Sequence, residues 1–216
     1  MQKIFILFAL LSLSVSCKTD QQKKIEETED TNSISETEHK QSKTNRTATT
    51  FDADNDYSAK LKSNLPDIIQ DFIQCKEKAS ERTDCRNRIT QVISETYDLS
   101  EFNDPKLGFV IYDSIRPIIE ASTYWQKIGT ATDQETLNKA TEHANNGGLS
   151  LIIDTSTDYG HVVMILPGDI KKSGSWNMNL PDVLSLLNYK PEKSFYNKSL
   201  SYAFEKSEDL QIYTRQ

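Results

Sequence analysis

The chain predicts an α+β domain, with helices first and a small antiparallel sheet after them. Apolar residues recur at helical spacing through the first half of the foldable part, beginning with Ile68, Ile69, Phe72 and Ile73. Asn145-Asn146-Gly147-Gly148 then breaks that pattern. After the break come β-branched or apolar runs divided by turns, from Leu149 to Asp154 and from Gly160 to Gly168. Helices followed by strands, without regular alternation, indicate α+β rather than a parallel doubly wound fold.

The segments before this domain are of other kinds. Met1 to Ser16 carries one lysine, Lys3, and an apolar or small-residue run from Ile4 to Val15. That run is well short of the about 20 residues a spanning helix needs, so residues 1–16 are expected to be a signal peptide. Cys17, directly after small residues, resembles a bacterial lipoprotein processing site. That resemblance implies an acylated cysteine and attachment to a membrane of the bacterial cell envelope, in the periplasm or at the outer-membrane surface. An ordinary cleaved signal with an incidental cysteine is the alternative. Residues 17–57 are dominated by Thr, Ser, Glu, Gln, Lys, Asp and Asn, with Ile25, Ile34 and Phe51 the sole large apolar residues before Tyr57. Such a composition buries no core and is expected to be a disordered tether with a reach on the order of 35 Å.

Residues 58–216 are expected to form one domain. Asn64-Leu65-Pro66-Asp67 opens a first helix, with proline near its first turn, ending near Lys78. Asp84 offers an N-cap for a second helix from Cys85 to Tyr97, with Ile89, Val92 and Ile93 on one face. A third is expected from Phe109 or Tyr112 to Lys127, and a fourth from Asp133 to Ala144 behind an acidic first turn. The run from Leu149 to Asp154 and the Gly160–Gly168 run read as a hairpin. Trp176 to Leu187 reads as a turn with a short helix after Pro181, and strands follow at Ser199 to Phe204 and Leu210 to Thr214.

Net charge is −7, and there is no basic stripe with interleaved aromatics, which argues against a nucleic-acid partner. There is no HExxH or CxxC, and His39, His143 and His161 are dispersed, so neither a metal nor another cofactor is expected. A monomer is expected.

The chemistry lies in Gly160-His161-Val162, an ionisable ring at the start of an apolar strand, and in the cysteines. A thiol at a helix N-terminus is biased toward thiolate, and Cys85 meets that condition where Cys75 does not. An imidazole within hydrogen-bond reach would complete a nucleophile and base pair, with His161 the natural partner. The other possibility is a Cys75–Cys85 disulfide in a non-cytosolic compartment, which removes the nucleophile and leaves His161 a strand-end histidine.

Asp84-Cys85 with Arg88, Ile89 and Val92, Trp125-Gln126-Lys127-Ile128, Ala140, Ala144-Asn145, Gly148 and Gly160-His161-Val162 together are similar to the papain-like amidases and peptidases of the NlpC and CHAP type. The resemblance implies a cysteine hydrolase acting on amide bonds of peptidoglycan peptides. It makes Cys85 the nucleophile, His161 the base and Asp84 a contact for the substrate's amine. Asn177 is the expected residue orienting the imidazole, with Asn179 and Asp169 as alternatives. Trp125 is a candidate for the substrate groove, against the competing reading of core packing that also applies to Trp176. Arg86 departs from the pattern, since members carry a small residue after the cysteine. That departure and the possible disulfide favour a second reading, in which the same fold is a non-catalytic envelope lipoprotein that binds a wall fragment or a protein partner.

Overall fold

The computed structural model describes residues 54–81 and 83–216. The expected signal peptide, Cys17 and the tether up to residue 53 lie outside the described residues. Among the described residues no helix is long and apolar enough to cross a membrane.

Among the described residues the fold is mixed α+β, with four α-helices and a six-stranded antiparallel sheet. The helices are α1 (Asp54–Lys78), α2 (Arg88–Tyr97), α3 (Ile115–Ala121) and α4 (Gln134–Asn145). Two-residue strands β1 (Asn103–Asp104) and β2 (Gly108–Phe109) pair between α2 and α3. The main strands are β3 (Trp125–Thr130), β4 (Ser150–Asp154), β5 (Val162–Ile165), β8 (Asp182–Ser185), β9 (Phe195–Ser199) and β10 (Leu210–Arg215). Their order is β3-β10-β4-β5-β8-β9. Strands β6 (Lys171–Ser173) and β7 (Met178–Leu180) form a separate hairpin.

Both faces of the sheet are covered, and strand alternation divides the core in two. Leu151, Ile153, Val162, Met164 and Leu184 join Leu65 and Phe72 of α1, Ile89 and Ile93 of α2, and Ile115 and Ile119 of α3 in one cluster. Ile152, Val163, Ile165, Val183 and Ile212 point the other way, toward Leu137, Ala140 and Ala144 of α4 and toward Trp176 and Leu180. This is why β4 and β5 read as unbroken apolar runs although their sheet is antiparallel. Their register pairs Leu151 with Met164 and Ile153 with Val162.

Several elements differ from the sequence expectation. Helix α1 starts at Asp54, inside the expected tether, so Pro66 lies within the helix and not in its first turn. Helix α2 starts at Arg88 and not at Cys85, because Cys85 is in the left-handed region at φ 65°. The expected third helix is a 3₁₀ turn (Tyr112–Ser114) and the seven-residue α3. Trp125 to Thr130 leaves it to pair with β10, with Arg215 opposite Trp125. No helix follows Pro181; β8 begins at Asp182 and pairs with β5. The expected strand from Ser199 ends in a 3₁₀ turn (Leu200–Tyr202), and the pairing segment is β9 before it. Helix α4 and the β4–β5 hairpin agree with expectation; the Asp133 carboxylate accepts a hydrogen bond from the Thr136 amide at 2.9 Å.

Candidate functional site

Asp84 does not cap α2. Its Oδ2 turns back to accept from the Ser80 and Glu81 amides, each at 3.0 Å. Those bonds, Glu81's first, hold the carboxyl below its ordinary range. The turn directs Cys85 toward α1, and its sulfur is bonded to that of Cys75, with the two Cα atoms 6.0 Å apart. The disulfide lies in an open cleft of about 640 Å³ whose other linings include Asp71, Lys78, Asp84 and Arg88. Cys85 therefore carries no thiol and occupies no helix terminus, which corrects both grounds for naming it the nucleophile.

His161 is held elsewhere. Gly160 precedes it because a Cβ there would stand 1.5 Å from the Asp154 carbonyl oxygen; that tight approach lets the Asp154 amide donate to the His161 carbonyl at 3.0 Å. The ring packs against Phe204, with centroids 5.4 Å apart, and its Nε2 lies 2.8 Å from Ser185 Oγ. Burial pushes its pKa down to about 4, with Asp154 opposing the shift, so the ring is neutral and weakly basic at pH 7. A serine beside an imidazole supplies two of the three members of a hydrolytic triad, but Ser185 is fully buried between β5 and β9, where no substrate carbonyl reaches it.

The remaining expected site residues do not gather around this histidine. Asn177 sits in the exposed turn of the β6–β7 hairpin at φ 53°, a conformation asparagine tolerates better than most residues. Asn179 is in β7, where its amide and carbonyl bond the Gln134 side chain, and Asp169 is exposed between β5 and β6. Trp125 is buried in the core, its Nε1 donating to Glu101 at 2.8 Å, so it lines no groove; Trp176 is buried in the opposite cluster.

A different constellation forms where four connections meet at one end of the sheet. The α1–α2 loop brings Arg86, the 3₁₀ turn brings Tyr112 and Asp113, the β4–β5 loop brings Tyr159, and the segment after β8 brings Asn188 and Tyr189. Three adjoining depressions, about 170, 280 and 360 Å³, share Tyr112 and Tyr189 as common walls. His161 lines the smallest of them. Arg86 pairs with Asp113 and lies over the Tyr112 ring, 4.8 Å from its centroid. Burial, followed by the Asp113 charge, raises the Tyr112 phenol above its ordinary pKa, and Tyr189 hydrogen-bonds it. Tyr159 and Tyr189 are 67% and 74% exposed, while Oδ1 of Asp113 and Oδ1 of Asn188 are buried without a hydrogen-bond partner.

The sequence carried a signal for this groove that composition alone did not bring out. Tyr159 and Tyr189 are large aromatics set in polar turn segments, where no core face awaits them. Among the described residues no group of three or more His, Cys, Asp or Glu side chains could hold a metal ion. A scan against protein-family models finds none that matches the chain, and a search of curated proteins finds no match either.

Proposed function

We propose that the chain is a cell-envelope lipoprotein, anchored to the membrane through a lipid on Cys17, whose folded part binds peptidoglycan fragments without cleaving them. On this reading the fold is an NlpC/CHAP-like scaffold in which the nucleophile position is spent on a disulfide. The observation that carries it is the Cys75–Cys85 bond: a cysteine hydrolase needs a thiolate, and a sulfur already bonded to sulfur is not one. Arg86, in the place where the amidases carry a small residue, supports the same conclusion. Its guanidinium is committed to Asp113 and Tyr112 and forms part of a groove wall.

The binding surface is assigned to the tyrosine groove because it is concave, built from loops on a rigid sheet, and presents exposed aromatic faces beside polar groups. A tethered domain at the envelope faces the wall, so a wall fragment suits this reading better than a soluble protein. The test is co-sedimentation of the full chain, in detergent and without reductant, with insoluble peptidoglycan. Retention in the pellet, competed by soluble wall fragments, is expected. A chain that stays in the supernatant rejects the reading.

A further inference from the structure

The disulfide and the tyrosine groove stand back to back. Cys75 and Cys85 line the open cleft of about 640 Å³, and the residue after each of them, Lys76 and Arg86, lines the adjoining depression of about 280 Å³ with Tyr112 and Tyr189. Ala79 borders both. A single covalent bond thus ties together the two chain segments that carry two cations of the groove wall.

Those cations do not attract one another. Burial, and after it the Arg86 charge, lowers the Lys76 ammonium below its ordinary pKa, with Asp84 opposing. Lys76 donates to the Asp84 carbonyl at 2.6 Å, which sets it beside the residue preceding Cys85 while both cations keep their charge. The cross-link works against their repulsion.

Cys85 is the joint between bond and groove. Its φ of 65° places a non-glycine residue in left-handed backbone, a conformation that persists only where the surroundings impose it. The next residue carries that constraint outward: the Arg86 guanidinium pairs with Asp113 and lies over Tyr112, and the Arg86 carbonyl accepts from the Tyr112 amide at 3.0 Å. Once the sulfurs part, Cys85 is free to relax to negative φ, and that rotation shifts Arg86 against Tyr112.

We propose that the Cys75–Cys85 bond is a site of thiol–disulfide exchange with a dithiol partner, and that its cleavage loosens the Lys76–Arg86–Tyr112 wall and weakens binding in the groove. The effect on binding rests on the wall-binding reading above; the exchange and the loosening do not. A thiolate of the dithiol attacks the sulfur of Cys75, the more exposed of the two residues, and Cys85 leaves as a thiolate that takes up a proton. The partner's second thiol, losing its proton, then displaces Cys75, so that the chain gains two thiols and the partner is oxidised to a disulfide. Exchange with an oxidised partner reverses both steps.

The test treats the full chain, in detergent and without denaturant, with dithiothreitol as the dithiol. Alkylation with peptide mapping reads the thiols, hydrogen exchange reads residues 76–88 and 110–114, and pelleting with insoluble peptidoglycan reads binding. Both cysteines are expected to become alkylated, exchange to quicken in those two segments but not in α4 or the β4–β5 hairpin, and wall affinity to fall about fivefold or more. Reoxidation should reverse all three, and the Cys75→Ala/Cys85→Ala variant should match the reduced chain and ignore dithiothreitol. A bond that yields only in denaturant overturns the exchange site. Reduction without faster exchange in the two segments, or with faster exchange throughout the sheet, overturns the latch. Local loosening with undiminished wall affinity overturns the link to binding. Local loosening in a chain that the wall retains in neither state upholds the exchange site and the latch and rejects the wall reading instead.

Discussion

Nε2 of His161 lies 2.8 Å from Oγ of Ser185, where β5 meets β8. The imidazole that the sequence offers as a general base is thus the partner of a buried hydroxyl. Ser185→Ala leaves a buried ring nitrogen without that hydroxyl partner. It is expected to lower stability by about 1–3 kcal/mol, measured by urea unfolding. A loss indistinguishable from zero would show that the bond contributes nothing.

The same histidine makes stability depend on pH. Its folded pKa, about 4, lies below the ordinary 6.5. Between those values the unfolded chain takes up a proton that the native state does not. His161's contribution is therefore complete above about pH 6.5, falls as pH drops toward 4, and is flat below, a change on the order of 3 kcal/mol. Comparing unfolding free energies of the parent and His161→Gln across this window isolates it. Parallel pH profiles would contradict the assignment.

Cys75 and Cys85 are ten residues apart in sequence. Closing so short a loop contributes about 3 kcal/mol in the chain-entropy model. The Cys75→Ala/Cys85→Ala double variant should accordingly melt about 6 to 12 °C lower, by calorimetry. Alkylation and peptide mapping of the parent chain should label neither cysteine until a reductant is added.

Arg86 and Asp113 are only 14% and 13% exposed at their side chains. Removing one partner strands a charge, so Arg86→Ala should cost about 3 kcal/mol, whereas Arg86→Met with Asp113→Leu should recover most of that loss. Arg86→Lys is not expected to restore stability, because an ammonium group cannot reproduce the planar stack on Tyr112. Equal losses in the single and double variants would argue against a buried pair.

The sequence was most informative where local chemistry and tertiary packing agreed. Asp133 both caps α4 and is followed by Leu137, Ala140 and Ala144 at helical spacing, so that helix was legible. So was the β4–β5 hairpin, whose turn is bounded by Gly160. The expectation failed where a distant partner decided the outcome. Trp125 to Thr130 could continue a helix in isolation, but β10, more than eighty residues later, recruits it as a strand. Asp84 has the chemistry of an N-cap, yet its carboxylate serves the turn behind it and the disulfide pulls Cys85 into left-handed backbone. The choice between a free thiol and a bridge was open in the sequence because both suit two cysteines ten residues apart. The tyrosine groove is assembled from four separate connections and no single stretch of sequence reveals it.

The measurement that bears most directly on a wall-binding module with no nucleophile is the analysis of soluble products released from insoluble peptidoglycan by the full, oxidised chain. The account predicts that no peptide or amide fragments appear above a protein-free control while the chain pellets with the wall. Fragment release that disappears in Cys85→Ala would contradict it and restore Cys85 as a nucleophile.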